Sequence, residues 1–140
     1  MDKVLIDSDI IIDYFYNRTP FSKDASEVLN LCALRKIEGF ITPLIVANVY
    51  YILRKTSKHE KLISDLIKLF EYISIINMNQ KIVFEALNSD FKDFEDALQN
   101  YAAIETKNLN IIITRNIKDY KKSSLSVYTP ESYLKTLNQI

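Results

Sequence analysis

The stretch Val4-Leu5-Ile6-Asp7-Ser8-Asp9-Ile10-Ile11-Ile12 constrains the fold more than any other part of the chain. Val4-Leu5-Ile6 has no polar alternation, so a strand built from it is buried on both faces. The run ends on a carboxylate, a second carboxylate stands two residues later, and the apolar sequence then resumes. A segment made only for burial would not carry charge there, because an unpaired buried charge is costly. The strand is therefore expected to end at Ile6 and to deliver Asp7 to a rim.

The remaining pattern repeats this alternation. Lys3–Ile6 is read as a buried strand and Ile10–Phe15 as a short helix, broken by Asn17-Arg18-Thr19-Pro20. From Ser22 the apolar residues Ala25, Val28/Leu29, Leu31/Cys32, Leu34 and Ile37 keep helical spacing, with Gly39 as the expected helix stop. Phe40-Ile41 is a brief strand. Thr42 caps, and Pro43 opens, a helix running to about Lys55. A second, amphipathic helix covers His59–Phe70. Tyr72–Ile76 is predicted as a buried strand and Gln80–Leu87 as a helix. Ser89/Asp90 are the expected caps of a helix from about Lys92 to Lys107. Asn110–Thr114 is the clearest strand, Ser126–Tyr128 the last, and Pro130 starts a terminal helix.

Strands alternating with helices predict an α/β fold, with a short, mainly parallel sheet covered on both faces. The length fits one domain over residues 1–140. In such sheets ligands bind at the carboxyl ends of the strands. Asp7 and the segment Thr114-Arg115-Asn116 would then share one rim.

Composition narrows the chemistry. One glycine excludes a Walker loop and a GxGxxG fingerprint, and one histidine with one cysteine argues against a Cys/His zinc site. A metal site would have to be built from oxygen ligands. Eighteen basic and eighteen acidic residues cancel, so a nucleic-acid partner would need a local basic patch. No segment approaches the roughly eighteen apolar residues of a membrane span. The start has no signal-peptide layout, and a lone Cys32 fits a reducing compartment, so a cytoplasmic protein without membrane attachment is expected.

In SDFKDFEDALQNYAAIE the residues Phe94, Ala97/Leu98, Tyr101 and Ile104 form a core stripe, while Asp93, Asp96 and Asn100 share a polar face. Asp93 has the plain reading of a capping-box acid, which Asp96 lies too deep to share, making Asp96 the better site candidate. In ITRNIKDYKKS, Asp119 follows the strand close to Thr114 and Asn116. Arg115, Lys118, Lys121 and Lys122 form the densest basic cluster, suited to a phosphodiester backbone beside an acidic pocket. Asp13 is read as lying outside the site, so Asp13→Asn is expected to change little. His59 is read as a surface residue and Cys32 as core.

VLIDSDIIIDYF, TPLIVANVYYILRK, DFEDALQNYAA and IIITRNIKDYKKS, in that order, resemble the PIN-domain ribonucleases, and most closely the VapC-like toxins of bacterial toxin–antitoxin pairs. The resemblance implies a three-layer α/β/α sandwich, PIN-like and Rossmann-like, in which clustered acids bind Mg²⁺ or Mn²⁺. The metal would activate a water that cleaves RNA. It places the acids at Asp7, Asp96 and Asp119, with Asp93 as a further candidate ligand and Thr114, Asn116, Asp9 and Asn48 in support. Arg115, Lys118, Lys121 and Lys122 would contact RNA. It also implies an antitoxin protein as partner, and a homodimer. Two positions depart from the family pattern: Asp9 stands where Asn is usual, and Asn48 where Glu is usual. Asp93 or Glu95 could compensate for the missing charge. Two alternatives remain. One is a haloacid-dehalogenase-type phosphatase using Asp7 as nucleophile and Asp9 as acid/base. The other is a catalytically weak RNA- or protein-binding relative.

Overall fold

The computed structural model describes residues 1–138. Five strands, β1 (Lys3–Ile6), β2 (Glu38–Ile41), β3 (Ile73–Ile75), β4 (Ile111–Ile113) and β5 (Ser126–Tyr128), form one sheet in the order β3-β2-β1-β4-β5. Every pairing is parallel. The helices are α1 (Ser8–Tyr16), α2 (Ser22–Ala33), α3 (Pro43–Leu53), α4 (His59–Leu69), α5 (Gln80–Leu87), α6 (Phe94–Ile104) and α7 (Pro130–Leu137), with a 3₁₀ turn at Ile117–Tyr120. This is the α/β sandwich expected from the sequence.

The strand order has a physical consequence. Steps from β1 to β2 to β3 run one way across the sheet, and the step from β3 to β4 runs back past β1. Right-handed crossovers then put α1–α4 and the α5–α6 pair on opposite faces. Consistent with that, α1 packs on α2 and α3, while α5 packs on α6. The reversal leaves a crevice between the carboxyl ends of β1 and β4, where open parallel sheets bind ligands. Asp7 and Thr114 are the residues that leave those two strands.

Three expectations are corrected. Gly39 does not stop a helix: α2 ends at Ala33, the left-handed residue of the following turn is Arg35 (φ 59°), and Gly39 lies inside β2. Its role is steric. A Cβ at residue 39 would lie 2.7 Å from Cys32 Sγ, 2.9 Å from Ile73 Cδ1 and 3.1 Å from Ile6 Cδ1, so only hydrogen fits beneath α2. The second correction concerns β3, which is only half buried, with Ser74 and Ile75 exposed, because it is an edge strand.

The third is the start of α6, which begins at Phe94 and is capped by Asp93, whose side chain accepts from the Asp96 N–H. Ser89 is already committed to the end of α5, donating from its hydroxyl to the Ala86 carbonyl at 2.7 Å. Its oxygen accepts from the Phe91 N–H at 3.3 Å, inside the connecting turn and short of α6. Elsewhere the expected signals act as read. Thr42 caps α3 through the Ile45 N–H, and α1 ends at a left-handed Asn17.

Filling the Gly39 position is expected to be destabilising. Gly39→Ala should lower unfolding free energy by about 1–3 kcal/mol, the usual range for overpacking a closed core. In urea denaturation, Gly39→Ala combined with Cys32→Ala should lose less than the sum of the two single changes, because the added methyl enters the space the sulfur leaves. Strict additivity would show that the sulfur is not the obstacle.

Candidate functional site

The site grows from the end of β1. Asp7 is the N-cap of α1, and its Oδ1 accepts from the Ser8 N–H at 2.8 Å. Gln99 of α6 donates Nε2 to the same oxygen at 3.4 Å. On Oδ2 the Thr114 hydroxyl donates at 2.9 Å, and the Tyr120 hydroxyl at 3.4 Å. Asp7 is 6% exposed and so meets donors from α1, α6, the end of β4 and the 3₁₀ turn. Such a carboxylate is fixed in both position and rotamer.

Asp9 lies one residue into α1. Its Oδ2 accepts from the Arg115 backbone N–H at 3.0 Å and from Asn116 Nδ2 at 3.4 Å, while its buried Oδ1 has no partner. Burial, and then the charge of Asp7, push its carboxyl up to about 7. Asp96, the third residue of α6, is half buried, and its carboxyl is also pushed up to about 7. The causes are burial first, then Asp93, Asp7 and Asp119, with the Tyr120 hydroxyl acting in the opposite direction. Tyr120 is itself held protonated well above the usual tyrosine range, by burial and by Asp7 and Asp96. Asp7 and Asp9 at the start of α1 and Asp96 on α6 therefore all act on the Tyr120 hydroxyl.

A cleft of about 220 Å³ opens beside them, lined by Phe91, Lys92, Asp93, Asp96, Lys118, Asp119, Lys121 and Lys122 among others. Three of the four basic residues predicted from the sequence reach this cleft. Arg115 does not; its guanidinium turns to α1 instead. Asn100, expected on the polar face with Asp93 and Asp96, is buried and accepts from the Ser123 hydroxyl at 2.5 Å, tying down the loop before β5. Asn48 of α3 donates Nδ2 to Glu95 Oε2 at 3.4 Å, bringing a carboxylate of α6 to the position where α3 offers an amide.

Sequence reasoning misses Gln99 and Lys92, and reads Tyr120 as packing or a base-stacking residue rather than as a donor to Asp7. Gln99 stands among the apolar positions of α6, and a glutamine there is a readable sign of a buried polar contact.

Whether a divalent cation suits this site can be judged from its donors. Among the described residues no group of three or more Asp, Glu, His or Cys side chains is placed to hold a metal ion. The chemistry nevertheless fits a hard cation: the available donors are oxygens, one buried carboxylate oxygen is unpartnered, and two carboxyls are driven up by burial and by neighbouring carboxylates, Asp7 among them in both cases. Mg²⁺ takes one or two carboxylates and keeps several waters, which an open arrangement of this kind permits.

A Rossmann-like sheet with acids gathered at its switch point defines a class, and the sequence places the chain within it. A family model described as PIN domain matches residues 3–118, and the chain belongs to that family. It is 26% identical to Ribonuclease VapC1 of Aquifex aeolicus (strain VF5) over 144 residues, covering 99% of this chain and 98% of the relative. Among solved structures, a toxin–antitoxin complex from Klebsiella pneumoniae superposes with a TM-score of 0.67 at 26% identity, covering 91% of this chain and 97% of the other. VapBC2 from Rickettsia felis, bound to a DNA fragment from its promoter, gives 0.66 at 19% identity, covering 90% and 96%; this second likeness bears on the fold alone.

The raised carboxyls fix the sign of a pH effect. Asp9 and Asp96 hold protons more tightly in the folded chain than in the unfolded one, so stability falls as pH rises from the ordinary carboxylate range, about 4, through about 7. In EDTA the Tm should fall between about pH 5 and about pH 8, and Asp96→Asn should flatten that fall. A Tm that climbs over this interval would contradict the crowding of acids described here.

Proposed function

We propose that the protein is a divalent-metal-dependent endoribonuclease and acts as the toxin of a toxin–antitoxin pair. The observation that supports this is that Asp96 feels the charges of Asp7 and Asp119 and lines, with Asp119, a cleft edged by lysines. Similarity to Ribonuclease VapC1 over nearly the whole chain points the same way.

In this reading Asp7 and Asp96 hold Mg²⁺ or Mn²⁺, and Asp119 and Asp93 complete the acidic wall of the cleft. When bound, the metal supplies Lewis acidity and lowers the pKa of a water it carries. The chain's own residues do the rest. Lys118, Lys121, Lys122 and Lys92 hold phosphates of the RNA and orient the scissile bond toward the acids. The Thr114 hydroxyl, the Gln99 amide and the Tyr120 hydroxyl keep Asp7 in one orientation. Asn116 orders the loop by bridging Asp9 and Thr114.

The likeness to the Klebsiella toxin–antitoxin complex supports an antitoxin protein as partner, and we extend the proposal to a cytoplasmic homodimer. No helix among the described residues is long and apolar enough to cross a membrane. The phosphatase alternative needs a flexible loop or cap behind the Asp7-Ser8-Asp9 motif. Here α1 starts at Ser8 without any loop, and Asp9 is tied to Arg115.

Incubating the protein with mixed tRNA and mRNA should give cleavage with Mg²⁺ or Mn²⁺ that EDTA abolishes. Asp7→Asn and Asp96→Asn should each lower the rate by about 100-fold or more, a drop typical of removing charge-stabilising groups from an active site. Cleavage insensitive to both EDTA and Asp7→Asn would end the metal-nuclease reading. Separately, Lys118→Gln with Lys121→Gln should weaken RNA affinity and make its salt dependence shallower by a slope of about two, one for each phosphate no longer neutralised. An unchanged salt slope would remove these lysines from the RNA path.

A further inference from the structure

Arg115 belongs to the basic cluster in sequence but not in space. Its Nε donates to Asp13 Oδ2 at 2.7 Å and its Nη2 donates to Asp13 Oδ1 at 3.2 Å, a forked pairing that fixes both partners. Asp13 is 0% exposed. The guanidinium also stacks 4.0 Å from the centre of the Phe21 ring at the start of α2, and Arg18 Nη1 stands 3.8 Å from Asp13 Oδ1. Two of the five guanidinium donors and one face are thus engaged, and the group does not line the lysine cleft.

The position of this pair gives it a purpose. Asp9 and Asp13 are four residues apart on α1 and so lie on one face of the helix. Both grip the same residue: Asp13 through the guanidinium, and Asp9 through the Arg115 backbone N–H. The flanking residues then reach the acids. Thr114 donates its hydroxyl to Asp7, the Asn116 N–H donates to Thr114 Oγ1, and the Asn116 amide donates to Asp9. A backbone shift at residue 115 would displace all three hydrogen bonds together.

We propose that Asp13 and Arg115 are positioning residues: their buried pair locks the segment after β4 so that Thr114 and Asn116 present Asp7 and Asp9 in one geometry, and Arg115 is not an RNA contact. The assignment rests on the ribonuclease reading above and reverses the expectation that Asp13→Asn would be silent. Lysine cannot replace the arginine here, since one ammonium cannot make the fork or the stack.

The test compares wild type with Asp13→Asn, Arg115→Lys, the double variant and Phe21→Leu, with Lys121→Gln as the RNA-contact reference. RNA affinity is measured by anisotropy in EDTA, and single-turnover cleavage in Mn²⁺ at saturating RNA, well below each variant's Tm. Asp13→Asn and Arg115→Lys should each slow cleavage by about 10–100-fold, as removing the outer support of a metal site does, with RNA Kd unchanged. The double variant should be no slower than the slower single, because the two act as one unit. Amide hydrogen exchange over residues 114–116 should quicken in both singles.

A fall in RNA affinity with normal turnover would overturn the proposal by making Arg115 a phosphate contact, as would multiplicative effects in the double variant. Full turnover well below the Tm would reduce the pair to a stability element. If Asp13→Asn does not fold, Arg115→Lys and Phe21→Leu carry the same comparison. Absence of metal-dependent cleavage in wild type would remove the nuclease reading alone, while exchange at residues 114–116 would still report on the clamp.

Discussion

A carboxylate taken out of water must be surrounded by donors, and meeting that requirement at Asp7 organises this protein. Several kcal/mol of lost hydration have to be offset, and hydrogen bonds to a charged group contribute about 1.5–3 kcal/mol each. No single element supplies enough of them. Asp7 draws one from the first residue of α1, one from Gln99 on α6, one from Thr114 beyond β4 and one from Tyr120 in the turn that follows. The helix pair on one face of the sheet and the β4 segment are thus docked to β1 by polar bonds as well as by the apolar core.

The neighbouring acids lack that provision, and the contrast has meaning. Asp7 has donors on both oxygens, whereas Asp9 keeps a buried oxygen without a partner and Asp96 is pushed up by burial and by three other carboxylates. A chain selected only for stability would have replaced these groups with amides or hydroxyls. Local conflict of this kind is what functional sites retain when the rest of the sequence agrees with the fold. The conflict is confined to the crevice where strand order reverses. Away from it, the apolar side chains of β1 and β4 pack without such conflict, and polar groups such as Thr42 and Asn79 perform ordinary capping.

Much of this is legible in the sequence because it is local. A strand that ends on an acid, a Thr-Pro helix start and three consecutive isoleucines each reveal themselves within a few residues, and parallel topology follows from their alternation. Helix boundaries are legible only where one capping candidate exists. Between α5 and α6 there are three, Ser89, Asp90 and Asp93, and the choice depends on Ser89 having turned back to Ala86. Gly39 misleads for a related reason: a glycine after a helical pattern suggests a stop, but the demand on it comes from Cys32 and Ile73, neither of them adjacent in sequence. Asp13 and Arg115 stand 102 residues apart, so no local pattern could separate Arg115 from the lysines that follow it.

The same distance effect explains the corner formed by Asn48 and Glu95. Read along the sequence, Asn48 is a loss of charge on α3. In three dimensions its amide faces a carboxylate from α6, and the donor it presents is what a neighbouring Glu95 can accept. A second carboxylate at position 48 would instead confront Glu95 with like charge at short range, an exposed repulsion of about 1 kcal/mol. Negative charge at this corner is therefore provided from α6, the helix that already carries Asp93 and Asp96. The acids of the candidate site come mainly from α6, the end of β1 and the turn after β4, with α3 contributing an amide to Glu95 beside them.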